Sequence, residues 1–114
     1  MRRMKFIGLL LALCCTGSAW AGCTLPPAPS RVPDGNIATE AEMMSAMQTL
    51  QRYDTDVKNY TKCLQFEANQ KRITRDERAR QHNAAIDGLQ VIAARFNEQV
   101  RLYRARSLLA EQSR

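Results

Sequence analysis

Residues Thr39–Gln70 read TEAEMMSAMQTLQRYDTDVKNYTKCLQFEANQ, and the periodicity of this stretch decides the fold. Apolar or small residues recur at Met43, Ala46, Leu50, Tyr53, Val57, Tyr60 and Leu64, in alternating steps of three and four. That spacing draws a narrow stripe along one side of an α-helix, the seam of a coiled-coil-like pairing. Gln48, Gln51, Arg52, Asp54, Asp56, Lys58, Asn59 and Lys62 fill the positions between. A stripe of this kind needs a partner surface, and Cys63 lies beside it.

The helix start is marked by Thr39 and Glu42, a T-x-x-E capping box in which hydroxyl and carboxylate each satisfy a free backbone N–H. Glu40 and Glu42 also suit the positive end of the helix dipole. No Gly or Pro occurs between Asn36 and Gly88, so the stop must be inferred from the pattern. Continuing the stripe would place Glu67, Lys71, Thr74, Arg78 and Gln81 in an apolar groove, which is unfavourable. A second stripe instead runs through Ala79, His82, Ile86, Leu89, Ala93, Phe96, Val100, Tyr103 and Ser107, preceded by a second T-x-x-E box at Thr74–Glu77.

The expectation is an all-α chain that breaks within Lys71–Thr74 and folds as an antiparallel two-helix hairpin, with helices at about 39–70 and 75–109. In that alignment Met43 lies level with Tyr103, Leu50 with Phe96, Tyr53 with Ala93, Tyr60 with Ile86 and Leu64 with His82. The competing picture is one continuous helix that pairs with a second chain. Ile92, Leu102, Leu108 and Leu109 fall off the stripe, where they could cover the Pro-rich arm of residues 22–38 or meet another subunit. Gly88 is a poor residue inside a helix; close approach by the Pro-rich arm or a tolerated surface position would each explain it.

Residues 22–38 form a Pro-rich arm. Pro26, Pro27, Pro29 and Pro33 favour an extended polyproline-type path, and Asp34-Gly35-Asn36 signals a turn. The arm from Cys23 to Thr39 reaches roughly 45 Å when extended, while Thr39 to Cys63 along a helix is roughly 36 Å. An arm folded back along the first helix therefore brings Cys23 level with Cys63, and a bridge closing that loop would stabilise by roughly 4 kcal/mol.

Met1–Ala21 has the form of a cleaved signal peptide: basic Arg2, Arg3 and Lys5, an apolar run over Phe6–Cys15, and small residues at Ala19 and Ala21. Removing it takes Cys14 and Cys15, leaving Cys23 and Cys63 for one disulfide in an oxidising compartment. The spacing fits neither a metal site nor a C-x-x-C redox motif. The rival fate of Cys23 is lipidation as an outer-membrane lipoprotein, which excludes the bridge. Ala21 and Gly22 suit it, but Trp20 stands where Leu is expected. Of 17 Lys and Arg and 11 Asp and Glu in the chain, three basic residues and no acids lie in 1–21, so 22–114 carries a net charge of +3. Nucleic acid is not an expected partner of a mildly basic, exported chain.

Catalytic patterns are missing. His82 is the one histidine, and there is no G-x-S-x-G or H-E-x-x-H motif. Asp54 with Asp56, and Asp76 with Glu77, are too close in sequence to face each other on a helix. No enzyme activity, cofactor, metal or small-molecule substrate is expected. The basic cluster Lys71, Arg72, Arg75, Arg78 and Arg80 at the hairpin tip, interrupted by Asp76 and Glu77, is the candidate contact surface, either solvated or attracting anionic groups. Arg95, Arg101, Arg104 and Arg106 add charge further along, with Glu98 within reach of Arg95 and Arg101.

Cys23-x-x-Pro26, Pro33-Asp34-Gly35, Glu42-Met43, Tyr60 with Cys63-Leu64, and Phe96-Asn97 together resemble a group of short exported bacterial helical-hairpin proteins of unknown function. The resemblance implies an envelope location and a hairpin shape, and brings no activity. The expectation is an exported, non-enzymatic binding or structural module, periplasmic or secreted. Its expected partners are another envelope protein, an anionic envelope surface or a second copy of itself. The alternatives are the lipoprotein and an inhibitor or chaperone-like partner, the latter needing an exposed apolar groove.

Overall fold

A computed structural model describes residues 22–114. The segment 1–21, with its signal-peptide reading and Cys14 and Cys15, lies outside the described residues. Those described form two helices and no strand: α1, Glu40–Asn69, and α2, Arg75–Gln112, packed as a hairpin. The break falls where the stripes change phase, and α2 continues three residues past the expected end.

Helix α1 opens on the full capping box. Thr39 Oγ1 accepts from the Glu42 N–H at 3.2 Å, and Glu42 Oε2 accepts from the Thr39 N–H at 2.7 Å. The second box forms only in half. Thr74 Oγ1 accepts from the Glu77 N–H at 3.0 Å, but the Glu77 carboxylate turns instead to Gln81 and Arg80, at 2.7 and 2.8 Å. Two charged or amide donors on the next turn outcompete one backbone N–H.

Helix α1 stops without a glycine. Lys71 adopts φ 57°, a left-handed conformation costly for a side-chain-bearing residue. The Lys71 N–H donates to the Ala68 carbonyl and the Arg72 N–H to the Glu67 carbonyl, both at 3.0 Å, closing a Schellman turn. Where such turns usually carry an apolar contact, Arg72 donates twice to the Glu67 carboxylate, at 2.7 and 2.8 Å. Glu67 lies on the continued α1 stripe and is only 7 % exposed. The position that argued against a longer stripe is thus occupied by an ion-paired acid, since a buried carboxylate must be matched.

The core is one line of side chains with two clusters. Tyr53, Val57, Tyr60, Leu64, Ala85 and Ile92 make the first, with Cys23, Val32, Leu50, Ile73, Ile86 and Leu89 packed against it. Ala38, Met43 and Phe96 make the second, joined by Val32, Ala46, Leu50, Val100 and Tyr103. On α2 the most buried residues are Ala85, Ile92 and Phe96, so its inward face is rotated from the expected stripe. Ile92 is core. Cys23 and Val32 pack against its cluster, in keeping with the expectation that off-stripe Ile92 helps to cover the arm.

Cys23 and Cys63 form a disulfide with Cα atoms 5.7 Å apart. At the other end of the 22–38 segment, Asp34 organises a turn by accepting from the Ile37, Ala38 and Asn36 N–H groups. Gly35 lies directly on the α2 backbone: a Cβ there would overlap the Gln99 carbonyl and approach the Tyr103 nitrogen to 2.9 Å. Its N–H donates to Gln99 Oε1 at 2.9 Å. Arg106, expected only as surface charge, donates to the carbonyls of Asn36 and Ala38 at 2.9 and 2.6 Å and stacks on Tyr103. The close neighbour of Gly88 is not this segment but α1: the Tyr53 hydroxyl would stand 3.5 Å from a Cβ added there.

The tyrosine hydroxyls reach toward the tip. Tyr60 donates to Gln81 Oε1 at 3.0 Å, and Tyr53 stands over Gly88, each five residues nearer the tip than the expected Ile86 and Ala93. A partly buried hydroxyl needs a polar partner or open space, which Gln81 and Gly88 provide.

Candidate functional site

The break between helices sets the geometry of the tip. Because Lys71 turns left-handed and Thr74 starts a new helix, the side chains that follow α1 and open α2 converge. They line a cleft of about 600 Å³ formed by Gln65, Ala68, Asn69, Lys71, Arg72, Ile73, Thr74, Arg75 and Arg78. Four of the five basic residues expected at the tip are therefore brought together. Arg80 is not: it points along α2 to Glu77.

The four differ in what they can do. Arg72 is committed to Glu67 and also lies 5.3 Å from the Phe66 ring centroid. It is a structural cation that shapes the cleft. Lys71, Arg75 and Arg78 enter no ion pair among the described residues. Three cations without ion-pair contacts around one concavity outnumber the adjacent Asp76 and form a local positive field that would draw an anion.

Carboxylates near the tip and further along α2 are held in the charged form by their donors. Hydrogen bonds from Arg72 keep Glu67 below its ordinary value, against the opposing pull of desolvation. Gln81, then Arg80, do the same for Glu77, and Arg101 for Glu98. Arg101 takes Glu98 at 2.6 Å, so of the two arginines expected near this acid it is the paired one.

His82 is half-buried near the tip, and Asp54 is paired with Lys58 at 2.6 Å. Among the described residues no group of three or more His, Cys, Asp or Glu could hold a metal, and no helix is long and apolar enough to cross a membrane. Sequence reasoning missed a second concavity at the open end, lined by Met43, Met44, Met47, Phe96, Val100 and Tyr103. Its signal was present in the Met43-Met44-x-x-Met47 run, of which the stripe used only Met43.

No protein-family model, curated protein or solved structure matches the chain.

Proposed function

We propose that the chain is an exported, non-enzymatic helical hairpin of the bacterial envelope whose basic tip docks on anionic groups of an envelope surface. One observation carries this reading: Lys71, Arg75 and Arg78 line a common cleft without ion-pair partners among the described residues. Support for export comes from the Cys23–Cys63 bridge, since such a bond persists in oxidising compartments. The bridge also engages the sulfur that lipidation would need, favouring a soluble chain over the lipoprotein. Residues 22–38 act as a strap, tied to α1 by sulfur and to α2 through Gly35 and Arg106, that stiffens a hairpin otherwise too thin to stand alone.

Vesicle co-sedimentation tests the tip. Each basic residue near an anionic surface contributes about 1 kcal/mol. Replacing Lys71, Arg75 and Arg78 together by Ser should lower partitioning onto phosphatidylglycerol vesicles by roughly a hundredfold, with little binding to phosphatidylcholine in either form. Arg72 is left in place, because its loss would disturb the turn through Glu67. Equal binding by the triple variant would remove the tip from the function. Intact mass separates the two fates of Cys23: loss of two hydrogens fits the bridge, added acyl mass the lipoprotein.

A further inference from the structure

The two flanks of the hairpin differ at its open end. One flank is occupied by residues 22–38: Gly35 sits on the Gln99 and Tyr103 backbone and Arg106 holds the Asn36 and Ala38 carbonyls, while Ser30–Pro33 and the α1 residues Glu42, Ser45, Ala46 and Thr49 line a more polar concavity between them. At 3.6 residues per turn, Gln99 and Arg106 project from the side of α2 opposite Asn97 and Arg104. The flank bearing Asn97 and Arg104 holds an uncovered groove of about 380 Å³, with methionines along its α1 wall and Glu40 and Arg104 at its rim. Met44 is 48 % exposed and Met47 38 %. Further toward the tip this flank of α1 turns polar, through Gln51, Asp54 and Lys58, so the apolar surface is local.

Helix α2 also outruns its partner. Leu108 lies one turn past Arg104, on the row that contains Asn97, Arg101 and Arg104, and is 60 % exposed. An apolar projection thus follows an apolar groove on the same flank of the same helix.

We propose that this groove is an interface with a second copy of the chain, in which the two α2 ends run antiparallel about a two-fold axis near Arg104. Leu108 is eight residues from Val100, about 12 Å along the helix. An axis midway between them carries each Leu108 to the level of the other copy's Val100, where Met47 and Phe96 form the walls. The same rotation brings each Arg104 to the level of the other copy's Glu40. The two arginines flank the axis, and each is matched by an acid across it, as an isologous contact requires. Groove, plug, acid and base are all present on one flank, which is why a second copy satisfies the site. The basic tips stay free at the far ends of the pair, so this inference stands apart from the tip reading.

Sedimentation velocity on the disulfide-intact protein tests it. The contact spans a few helical turns, at the small end of interface sizes, so a dimer is expected at about 100 μM and dissociation on dilution by about a hundredfold. Met47→Glu and Leu108→Glu, both at exposed positions, should each weaken the dimer tenfold or more, by about the loss of one anchor. Glu40→Arg and Arg104→Glu should each weaken it, and their combination should recover it. A monomer at every concentration overturns the proposal, including one whose groove takes a helix of another protein. A dimer indifferent to these substitutions overturns it equally.

Discussion

Gly35 and Gly88 both lack a side chain, but for different reasons, and the difference can be measured. Neither has a positive φ, so the question is space alone. Gly35 is pressed onto the α2 backbone at Gln99, where a methyl group has nowhere to go because its neighbour is main chain. Gly35→Ala should destabilise by about 1–3 kcal/mol, as overpacking does, and should speed amide exchange at Asn36–Ala38. Gly88 has only the Tyr53 hydroxyl near it, at ordinary contact distance. Gly88→Ala should stabilise by about 1 kcal/mol through helix propensity. Urea denaturation of the two variants checks both signs. Neither answer was available from the sequence, which marked Gly35 as a turn residue and left Gly88 between two explanations.

At the level of elements, the turn between α1 and α2 depends on charge. Lys71 takes the left-handed position usually given to glycine, and the Arg72–Glu67 pair closes the turn in place of an apolar contact. Arg72 holds the Glu67 carboxyl below its ordinary value of 4.5. A depressed value means the folded state favours the charged form. The associated stability is complete above the ordinary value and is lost as pH falls through the lower, folded one. Glu42 at the start of α1, held by the Thr39 N–H and hydroxyl, and Glu77 and Glu98 on α2 act in the same direction. The urea midpoint should therefore fall steeply below pH 4.5, and Glu67→Gln should flatten that acid limb while lowering stability at neutral pH. A parallel pH profile in the variant would show that the pair does not hold the turn. The capping threonines and the phase change located this break in the sequence. The device that makes it was hidden, because a buried Glu five residues from an Arg looks like any surface pair until the turn brings them together.

As a whole, the molecule is a slender hairpin, and its integrity rests on a crosslink. The Cys23–Cys63 loop of 40 residues should contribute about 4 kcal/mol in the chain-entropy account, a large share for so thin a core. Reduction, or Cys63→Ser, should lower the thermal midpoint sharply and release the 22–38 segment, visible as faster exchange near Val32. An unchanged midpoint would mean that Gly35, Arg106 and Val32 hold the segment without sulfur. Helix number, polarity and break, and the pairing of the two cysteines, were legible in residues alone, since they follow from local period, capping chemistry and reach along the chain. The inward face of α2 was legible only in part. Off the stripe, Ile92 reads as cover for the arm or for another subunit, and the cluster it shares with Ala85 does have Cys23 and Val32 packed against it; Ala85 was missed, because one-dimensional periodicity reports a single buried side per helix, not how far a second neighbour widens it. The same holds for both concavities. The tip cleft and the methionine groove arise where separate stretches meet at particular rotations, and those rotations are set by packing between elements, which no stretch carries within itself.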